Sequence, residues 1–462
     1  MKTYAKIIVG LLGAQLATTA FGASDLELEQ LKKQLADLDQ KVRILERERE
    51  IDQEGVAAAA KTAPKLSLGA NGFVFASGDS NFVAQLHALA QFDSRSFFND
   101  GGNNGNDGFL VRRARPIFTG TVFHDFDFNF TPDFGGSTVQ IQDAFVNYRY
   151  QPELQVQVGK FKSPVGLELL QTDPATAFNE RSIASDLVPN RDLGIDLHGD
   201  LAGGVASYAV GIFNGATDNS GTTTNAAFQD NKAVVARAFF QPWKNTDVNG
   251  LRGLGFGVGG SYAANHPNAA VTGLTPGYLT DGQQSFFKYS SGVNANGAQW
   301  RFSPQASYYY GPLGVLAEYV ISDQKATSTA TPNKVTELQN RAWEITGSWL
   351  LTGEDASYAA ITPLHPFDPR NNQWGAWQLV ARFGELDVDH NVFAAGLADA
   401  TKYASGAQAW SLGLNWFLNK NIRANLSYSR TTFTGYTGTS PSATSAAAQP
   451  ENVLFSRLQL VF

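Results

Sequence analysis

The sequence of 462 residues contains no cysteine and only one methionine. Without cysteine, the chain can form neither a disulfide framework nor a thiolate metal site. Its six histidines have no spacing that suggests a metal site or a catalytic triad, and the common hydrolase and nucleotide-binding motifs are not found. The sequence therefore predicts no metal and no cofactor, and it gives no reason to expect an enzyme.

Basic charge and hydrophobicity are also scarce. The formal net charge of −7 argues against a nucleic-acid partner, which requires a basic face. The mean hydropathy is −0.20, a value that by itself would indicate a water-soluble chain. This average is not decisive, because lipid-facing and lumen-facing residues alternate along transmembrane β-strands and cancel each other.

A long apolar run occurs at the start of the chain. It covers residues 7–20 and follows Lys2 and Lys6, and small residues come after it. This order is typical of a secretory signal, with cleavage expected after Gly22 or Ala23. The run is shorter than the ~20 residues that a membrane-spanning helix needs. We therefore interpret residues 1–22 as a signal peptide.

Leucine and valine then recur at alternating spacings of three and four residues, at Leu28, Leu31, Leu35, Leu38, Val42 and Leu45. Polar residues fill the positions between them, which predicts a short coiled-coil helix over residues 24–52. An amphipathic helix packed on its own protein is the alternative, although the stripe is narrower than such helices usually show. The pattern does not decide between a dimer and a trimer. Residues 53–81 are predicted to be a linker.

From residue 82 onward, apolar and polar residues alternate in segments near the ~9–11 residues of a tilted membrane strand. The sixteen segments lie near 82–92, 110–119, 122–130, 140–149, 154–161, 192–200, 205–213, 232–240, 253–262, 298–309, 314–321, 341–351, 374–384, 407–417, 422–431 and 453–462. Tight turns alternate with long loops between them, as in outer-membrane barrels. We therefore predict an all-β fold, a sixteen-stranded antiparallel transmembrane β-barrel over residues 82–462.

The even number of strands places both termini on the side of the short turns, so the coiled coil is expected in the periplasm. Residues 352–373 break the pattern, because this connection is long although it falls on the short-turn side. A water-soluble sandwich also has alternating strands. The barrel is favoured because tryptophans often stand at strand ends, where a membrane barrel carries its aromatic girdles.

The connection at residues 163–190 has no regular period, yet it is rich in apolar side chains such as Leu167, Leu169 and Phe178. An irregular connection of this length is usually either functional or disordered. This one is too apolar for a disordered segment. We expect it, as the third long loop, to fold into the barrel and narrow the lumen.

Inward-facing charges are unevenly distributed. Aspartates come from the first six strands: Asp93, Asp125, Asp127, Asp143, Asp192, Asp196 and Asp200. Arginines from later strands form a basic arc: Arg237, Arg301, Arg382, Arg423 and Arg457. The two arcs are expected to face each other across the lumen and to create a transverse field that orients charged solutes. Ordinary solvated charge is the alternative for part of these residues.

Arg112, Arg113 and Arg115 form a denser cluster. The planar guanidinium group suits phosphate and carboxylate, because it can bond two oxygens at once. Acidic and basic residues of the long loop offset each other, so the loop by itself is not an unambiguous anion trap.

Six segments resemble the phosphate-selective porin O and P family. They are V-G-K-F-K-S-P-V-G-L-E (158–168), F-N-E-R-S (178–182), N-R-D-L-G-I-D-L-H-G-D-L (190–201), L-V-R-R-A-R-P (110–116), D-F-D-F-N-F-T-P-D-F-G (125–135) and G-L-G-F-G (253–257). The likeness extends over essentially the whole predicted barrel. It implies a homotrimeric outer-membrane porin in lipid, whose third long loop forms an arginine-rich eyelet that strips water from anions such as phosphate.

The resemblance also implies roles for particular residues. Arg112 and Arg113 match the arginine pair of the family's wall motif, Asp143 matches an eyelet aspartate, and Arg181 falls in the E-R of the constriction loop. With Lys162 and Arg191 beside the loop, these residues are the candidates for anion selectivity. The full run of basic residues that makes a steep phosphate site has no match in this chain.

The sequence therefore predicts a passive channel for small anions, with phosphate suggested by the resemblance. A weakly selective general porin for small solutes is the alternative within the same class. An anchor that links the outer membrane to the periplasm through the coiled coil is the alternative of a different class.

Overall fold

The structure is a computed structural model that describes residues 25–70, 72–98, 105–136, 138–220, 232–266, 274, 277–438, 447 and 449–462. The chain divides into two compact units, residues 1–65 with 77–79 and residues 66–76 with 80–462. The predicted signal peptide, residues 1–22, lies outside the described residues. Within those residues, no helix is both long enough and apolar enough to cross a membrane.

The N-terminal helix, Asp25–Thr62, is longer than the sequence pattern indicates. The predicted boundary near residue 52 is wrong because residues 57–60 are all alanine, the strongest helix former. The helix ends shortly before Pro64, since a proline disfavours helical conformation in the residue that precedes it. The heptad side chains are exposed, for example Leu35 at 61% and Leu45 at 63%.

Twenty strands lie in the described residues and are numbered in chain order. They are β1 (Lys65–Gly69), β2 (Gly72–Ala76), β3 (Phe82–Phe97), β4 (Gly108–Val122), β5 (Phe126–Asp133), β6 (Gln140–Gln151), β7 (Leu154–Lys162), β8 (Arg191–Leu201), β9 (Ala206–Phe213), β10 (Ala233–Phe240), β11 (Leu254–Asn265), β12 (Tyr278–Leu279), β13 (Ser285–Phe287), β14 (Val293–Tyr310), β15 (Leu313–Ser328), β16 (Thr331–Leu350), β17 (Ala376–Asp387), β18 (Gly406–Phe417), β19 (Ile422–Thr434) and β20 (Glu451–Val461).

All of these strands except β1, β2, β12 and β13 form one closed antiparallel barrel. Each barrel strand pairs with its neighbour in the chain, and β20 pairs with β3 to close the cylinder. Each of the sixteen predicted segments overlaps one barrel strand, so the predicted fold is confirmed. The predicted linker, residues 53–81, is corrected, because it contains the end of the helix together with β1 and β2.

Side-chain exposure follows the alternation along the barrel strands. On β19, Leu426 is 51% exposed, whereas its neighbours Asn425 and Ser427 are 4% and 3% exposed. The outer face is therefore apolar and the inner face polar. This arrangement is the one that a membrane barrel presents to lipid and to its lumen.

The barrel interior is partly filled by its own connections. Residues 163–190, here called the constriction loop, contain the short helix Leu167–Leu170 and two 3₁₀ turns, Asp173–Ala175 and Ile183–Leu187. Residues 277–292, here called the lumen hairpin, carry β12 and β13. Side chains of both segments pack into one hydrophobic cluster. The short helix Asn391–Ala394 adds to this cluster from another connection.

The long connection between β16 and β17 supports the constriction loop from the side of the short turns. Its 3₁₀ turn is Pro369–Asn371. The Tyr358 hydroxyl donates to the Leu167 carbonyl at 2.6 Å, and Gln171 Nε2 donates to the Tyr358 carbonyl at 3.0 Å. The exception that the sequence shows at residues 352–373 therefore has a structural reason.

The closure of the barrel is held by an ion pair on its inner face. Arg457 of β20 donates to both carboxylate oxygens of Asp93 on β3, at 2.6 and 2.7 Å. Both side chains are fully buried. Beyond β20, β2 continues along the same edge of β3. The Asn421 amide donates to the carbonyl of Val461, the last residue of β20, at 2.7 Å, and to that of Ala70, which precedes β2, at 2.8 Å.

We expect Arg457→Met to destabilise the barrel by roughly 3–5 kcal/mol, because it leaves a buried carboxylate without its partner. The measurement is unfolding of the detergent-solubilised chain, followed by its mobility on gels after heating. Arg149→Met is the matched control, since it removes a half-exposed pair with Asp127 that is expected to contribute less than about 1 kcal/mol. Equal loss in the two variants would contradict this role for the closure pair.

Candidate functional site

The constriction loop crosses the lumen and is bonded to the wall opposite its own strands. Arg382 of β17 donates to Glu168 Oε1 at 3.2 Å and to the Glu180 carbonyl at 3.0 Å. Asn415 of β18 donates to the Ala177 carbonyl at 2.9 Å. The predicted inward folding of residues 163–190 is therefore confirmed.

Glu318 of β15 anchors the beginning of the loop. It accepts the backbone N–H of Leu167 at 2.9 Å, the N–H of Glu168 at 3.2 Å and the hydroxyl of Ser303 at 2.7 Å. The two N–H groups are free to bind it, because the first turn of a helix has no internal acceptors for them.

Asp173 of the loop gathers three guanidinium groups. Arg181 lies at 2.8 Å and Arg113 at 3.5 Å, and Arg115 also donates to this carboxylate. Arg115 in addition binds Asp133 of β5 at 2.6 Å. The wall arginines Arg113 and Arg115 are therefore attached to the loop through a single carboxylate.

Glu180 of the loop gathers a second group of arginines. Arg112 binds both carboxylate oxygens, at 2.6 and 2.9 Å, and Arg95 binds one of them at 2.9 Å. Arg457 lies slightly farther away, at 3.8 Å. Arg112 remains 28% exposed, so it faces open space as well as the loop.

The remaining candidates lie where the loop leaves and rejoins the wall. Lys162 Nζ donates to the Gln171 carbonyl, which also accepts a bond from Arg181 at 2.9 Å. Arg191, directly across from Lys162 in the sheet, binds both oxygens of Asp143 at 3.0 and 3.2 Å. The structure thus brings all six predicted selectivity residues together around one loop.

The predicted basic arc is placed differently from the expectation. Arg457 and Asp93 do not face each other across the lumen, because β20 and β3 are adjacent once the barrel closes. Arg301 pairs with Asp218 at 2.7 Å, and Arg382 pairs with Asp281 at 3.0 Å. The predicted transverse field between an acidic arc and a basic arc is therefore wrong for these three arginines, because each of them is paired with a neighbouring carboxylate.

Two arginines of the basic arc form no ion pair in the described part of the chain. Arg237 donates to Gln305 at 3.1 Å and lies over the Phe239 ring, 4.9 Å from its centre. Arg423 donates to the Thr176 carbonyl of the constriction loop at 2.8 Å, and to that of Pro174 at 3.2 Å.

Two of the four carboxylates of the loop, Asp173 and Glu180, are held in their ionised form. Burial alone would raise the pKa of Asp173, but the charges of Arg113, Arg181 and Arg115 outweigh it and hold the pKa well below its usual value. Burial acts in the same way on Glu180, and Arg112 reverses it, so that this pKa also lies far below its usual range. Both groups therefore stay negatively charged at any physiological pH.

The open part of the constriction lies against β3 to β8. A cavity of about 340 Å³ is lined there by wall residues and by one side of the loop, including Arg115, Lys162 and Arg191. On the other side the hydrophobic cluster fills the space with buried side chains such as Tyr278 and Phe286. Among the described residues, no group of three His, Cys, Asp or Glu side chains could hold a metal ion.

Three groups that build this site were not predicted from the sequence. Glu318, Asp218 and Asp281 are buried carboxylates that position the loop or bind arginines of the wall. The one signal in the sequence that could have indicated such a group is an acidic residue at an inward-facing strand position. Glu318, which stands between apolar neighbours in β15, is the example. Nothing in the local pattern marks residues 277–292 as a segment that enters the lumen.

Comparison with known proteins agrees with this architecture. A model of the family described as phosphate-selective porin O and P matches residues 85–462. Porin O of Pseudomonas aeruginosa is 23% identical over 386 residues, which cover 77% of this chain and 84% of that protein.

Two solved structures share the fold. The outer membrane channel DcaP of Acinetobacter baumannii has a TM-score of 0.50 at 10% identity, with 83% of this chain and 98% of that chain covered. The anion-selective porin from Comamonas acidovorans has a TM-score of 0.50 at 11% identity, with 82% and 100% covered. Identities this low show a common fold and nothing more.

We expect Glu318→Ala to loosen the start of the constriction loop, because two backbone N–H groups lose their acceptor. Such a loss costs roughly 1–3 kcal/mol per buried group. Hydrogen exchange should become faster at residues 167–170 and stay unchanged in β3 and β20. Glu337→Ala, at an exposed position of β16, is the control. Unchanged protection at residues 167–170 would rule out the anchor.

Proposed function

The chain belongs to the phosphate-selective porin O and P family and is an outer-membrane channel, and from this premise we propose that it favours small anions, phosphate among them. The observation that carries the proposal is the concentration of guanidinium groups around the constriction loop. Arginine is suited to this task, because its fixed, planar charge binds phosphate or carboxylate through two oxygens.

Basic groups outnumber acidic groups in the ion pairs around Asp173 and Glu180. Six guanidinium groups surround Asp173 and Glu180, and four carboxylates take part in their ion pairs. The guanidinium groups belong to Arg95, Arg112, Arg113, Arg115, Arg181 and Arg457, and the carboxylates to Asp93, Asp133, Asp173 and Glu180. An excess of two positive charges in a narrow passage favours anions over cations.

The same ion pairs weaken the selectivity. An anion that approaches Arg112 has to compete with Glu180, which already holds the guanidinium group through two bonds. This competition supports the second candidate, a weakly selective porin for small solutes. The two candidates differ in one measurement. In a channel with a phosphate site, millimolar phosphate inhibits the chloride current until the site is saturated. In a general pore, the same phosphate leaves the chloride current unchanged.

The functional unit that we propose is a homotrimer. Its three N-terminal helices associate through their heptad faces to form a coiled coil in the periplasm. The exposure of those apolar side chains supports the proposal, because a coiled-coil seam is buried by partner helices. The same exposed seam supports the alternative of a periplasm-linking anchor. Deletion of residues 25–50 separates them: an anchor loses its function while conductance remains, whereas a channel keeps its function.

We expect Arg113→Ala to reduce the anion preference, because it removes one of the guanidinium groups at Asp173. The phosphate concentration that gives half-maximal inhibition of the chloride current should rise roughly tenfold, which is the effect of one lost charge-assisted hydrogen bond. Glu180→Gln should act in the opposite direction, since it removes the competitor of Arg112. The measurements are reversal potentials across planar bilayers in a salt gradient, and current in the presence of phosphate.

Arg149→Ala is the control for both variants, because this arginine is half-exposed beside the short turns and pairs with Asp127. Its reversal potential should match that of the unchanged channel. Cation preference in the unchanged channel would refute the proposed anion selectivity.

A further inference from the structure

The cavity beside the constriction loop has an apolar wall, which a binding site for phosphate does not need. It occupies about 340 Å³ between the loop and the inner faces of β3 to β8. Its apolar lining is made by inward-facing wall residues and by the loop: Leu89, Ile117, Phe145, Phe161, Leu170 and Pro174. Inward positions of a water-filled barrel are normally polar, so this wall is unusual.

The aromatic part of the wall is fixed by packing. Phe161 is 5% exposed, and its ring lies 5.3 Å from Phe213 and 6.0 Å from Phe145, edge to face in both pairs. Phe213 is fully buried in the hydrophobic cluster, whereas Phe145 is only half-buried and borders the open space. The cavity therefore presents a rigid aromatic surface.

The polar part of the lining contains three basic and two acidic side chains. Arg115, Lys162 and Arg191 line the cavity together with Asp143 and Asp173. Both arginines are engaged in ion pairs. Lys162 is different, because within the described residues its ammonium group has one acceptor, the Gln171 carbonyl, although it carries three donors. The lysine can therefore bind one further anionic group.

We propose that this cavity is a binding site for a small organic monocarboxylate with a flat apolar body, of which benzoate is the simplest probe. Its carboxylate binds Lys162 beside Arg191, and its ring packs against Phe145, Ile117 and Leu170. Inorganic phosphate gains nothing from the apolar wall, because a strongly hydrated ion loses water there without a compensating contact. The inference rests on the proposed anion channel and names a class of solute for it.

The test is inhibition of the chloride current by benzoate and by acetate, with the full-length protein in planar bilayers. The two anions carry the same charge, so a difference between them reports the apolar wall. Benzoate should half-block the current at a concentration roughly three to ten times lower than acetate, as expected for one added aromatic contact.

Phe145→Ala should remove this difference, and Phe145→Leu should restore part of it if the alanine variant assembles poorly. Phe130→Ala is the matched control, because Phe130 lies on the outer face and is 43% exposed. Lys162→Gln should weaken block by both anions to a similar extent. Direct binding of benzoate to the detergent-solubilised protein, measured by calorimetry, gives a second readout that does not depend on current.

Equal block by benzoate and acetate would overturn the inference, as would a Phe145→Ala channel that still distinguishes them. Either result leaves the anion preference untouched, since that preference is read from the reversal potential in chloride alone. A cation-selective reversal potential would instead reject the proposed function, whatever benzoate does.

Discussion

The structure depends on one constraint, that a sheet in lipid cannot leave backbone hydrogen-bonding groups unpaired. Closure of the barrel by β20 and β3 satisfies this constraint, and it brings Asp93 and Arg457 together on the inner face. A closed sheet with an apolar outside must place its polar residues inside. The wall therefore supplies a dense array of charges, and the arrangement of the lumen follows from how those charges are paired.

The connections decide how much of that array a solute can reach. Asp173 and Glu180 bring negative charge from the constriction loop to the arginines of β3 and β4. Asp218 and Asp281 do the same for Arg301 and Arg382 on the opposite wall. These pairs add to the hydrophobic cluster that also holds the constriction loop and the lumen hairpin in place. Around Asp173 and Glu180, guanidinium groups still outnumber carboxylates.

The periodicity of the sequence was sufficient for the fold, and its motifs indicated which arginines lie around the constriction loop. The strands were predictable because alternation is a local property, visible for example in Ile422, Ala424 and Leu426. The inward course of residues 163–190 followed from a long apolar segment that needs an interior. The lumen hairpin was missed because its short strands, Tyr278–Leu279 and Ser285–Phe287, pair only with each other.

The sequence by itself determined the sixteen strands, the heptad helix and the set of arginines and aspartates around the loop. These features depend on residue type and on spacing along the chain. Tertiary structure alone decided which charges are paired, as for Arg112 with Glu180 and Arg457 with Asp93. It also decided that Phe145 and Phe161 border a charged cavity. The physical reason is that these contacts join segments far apart in sequence, and only closure of the sheet sets their distance.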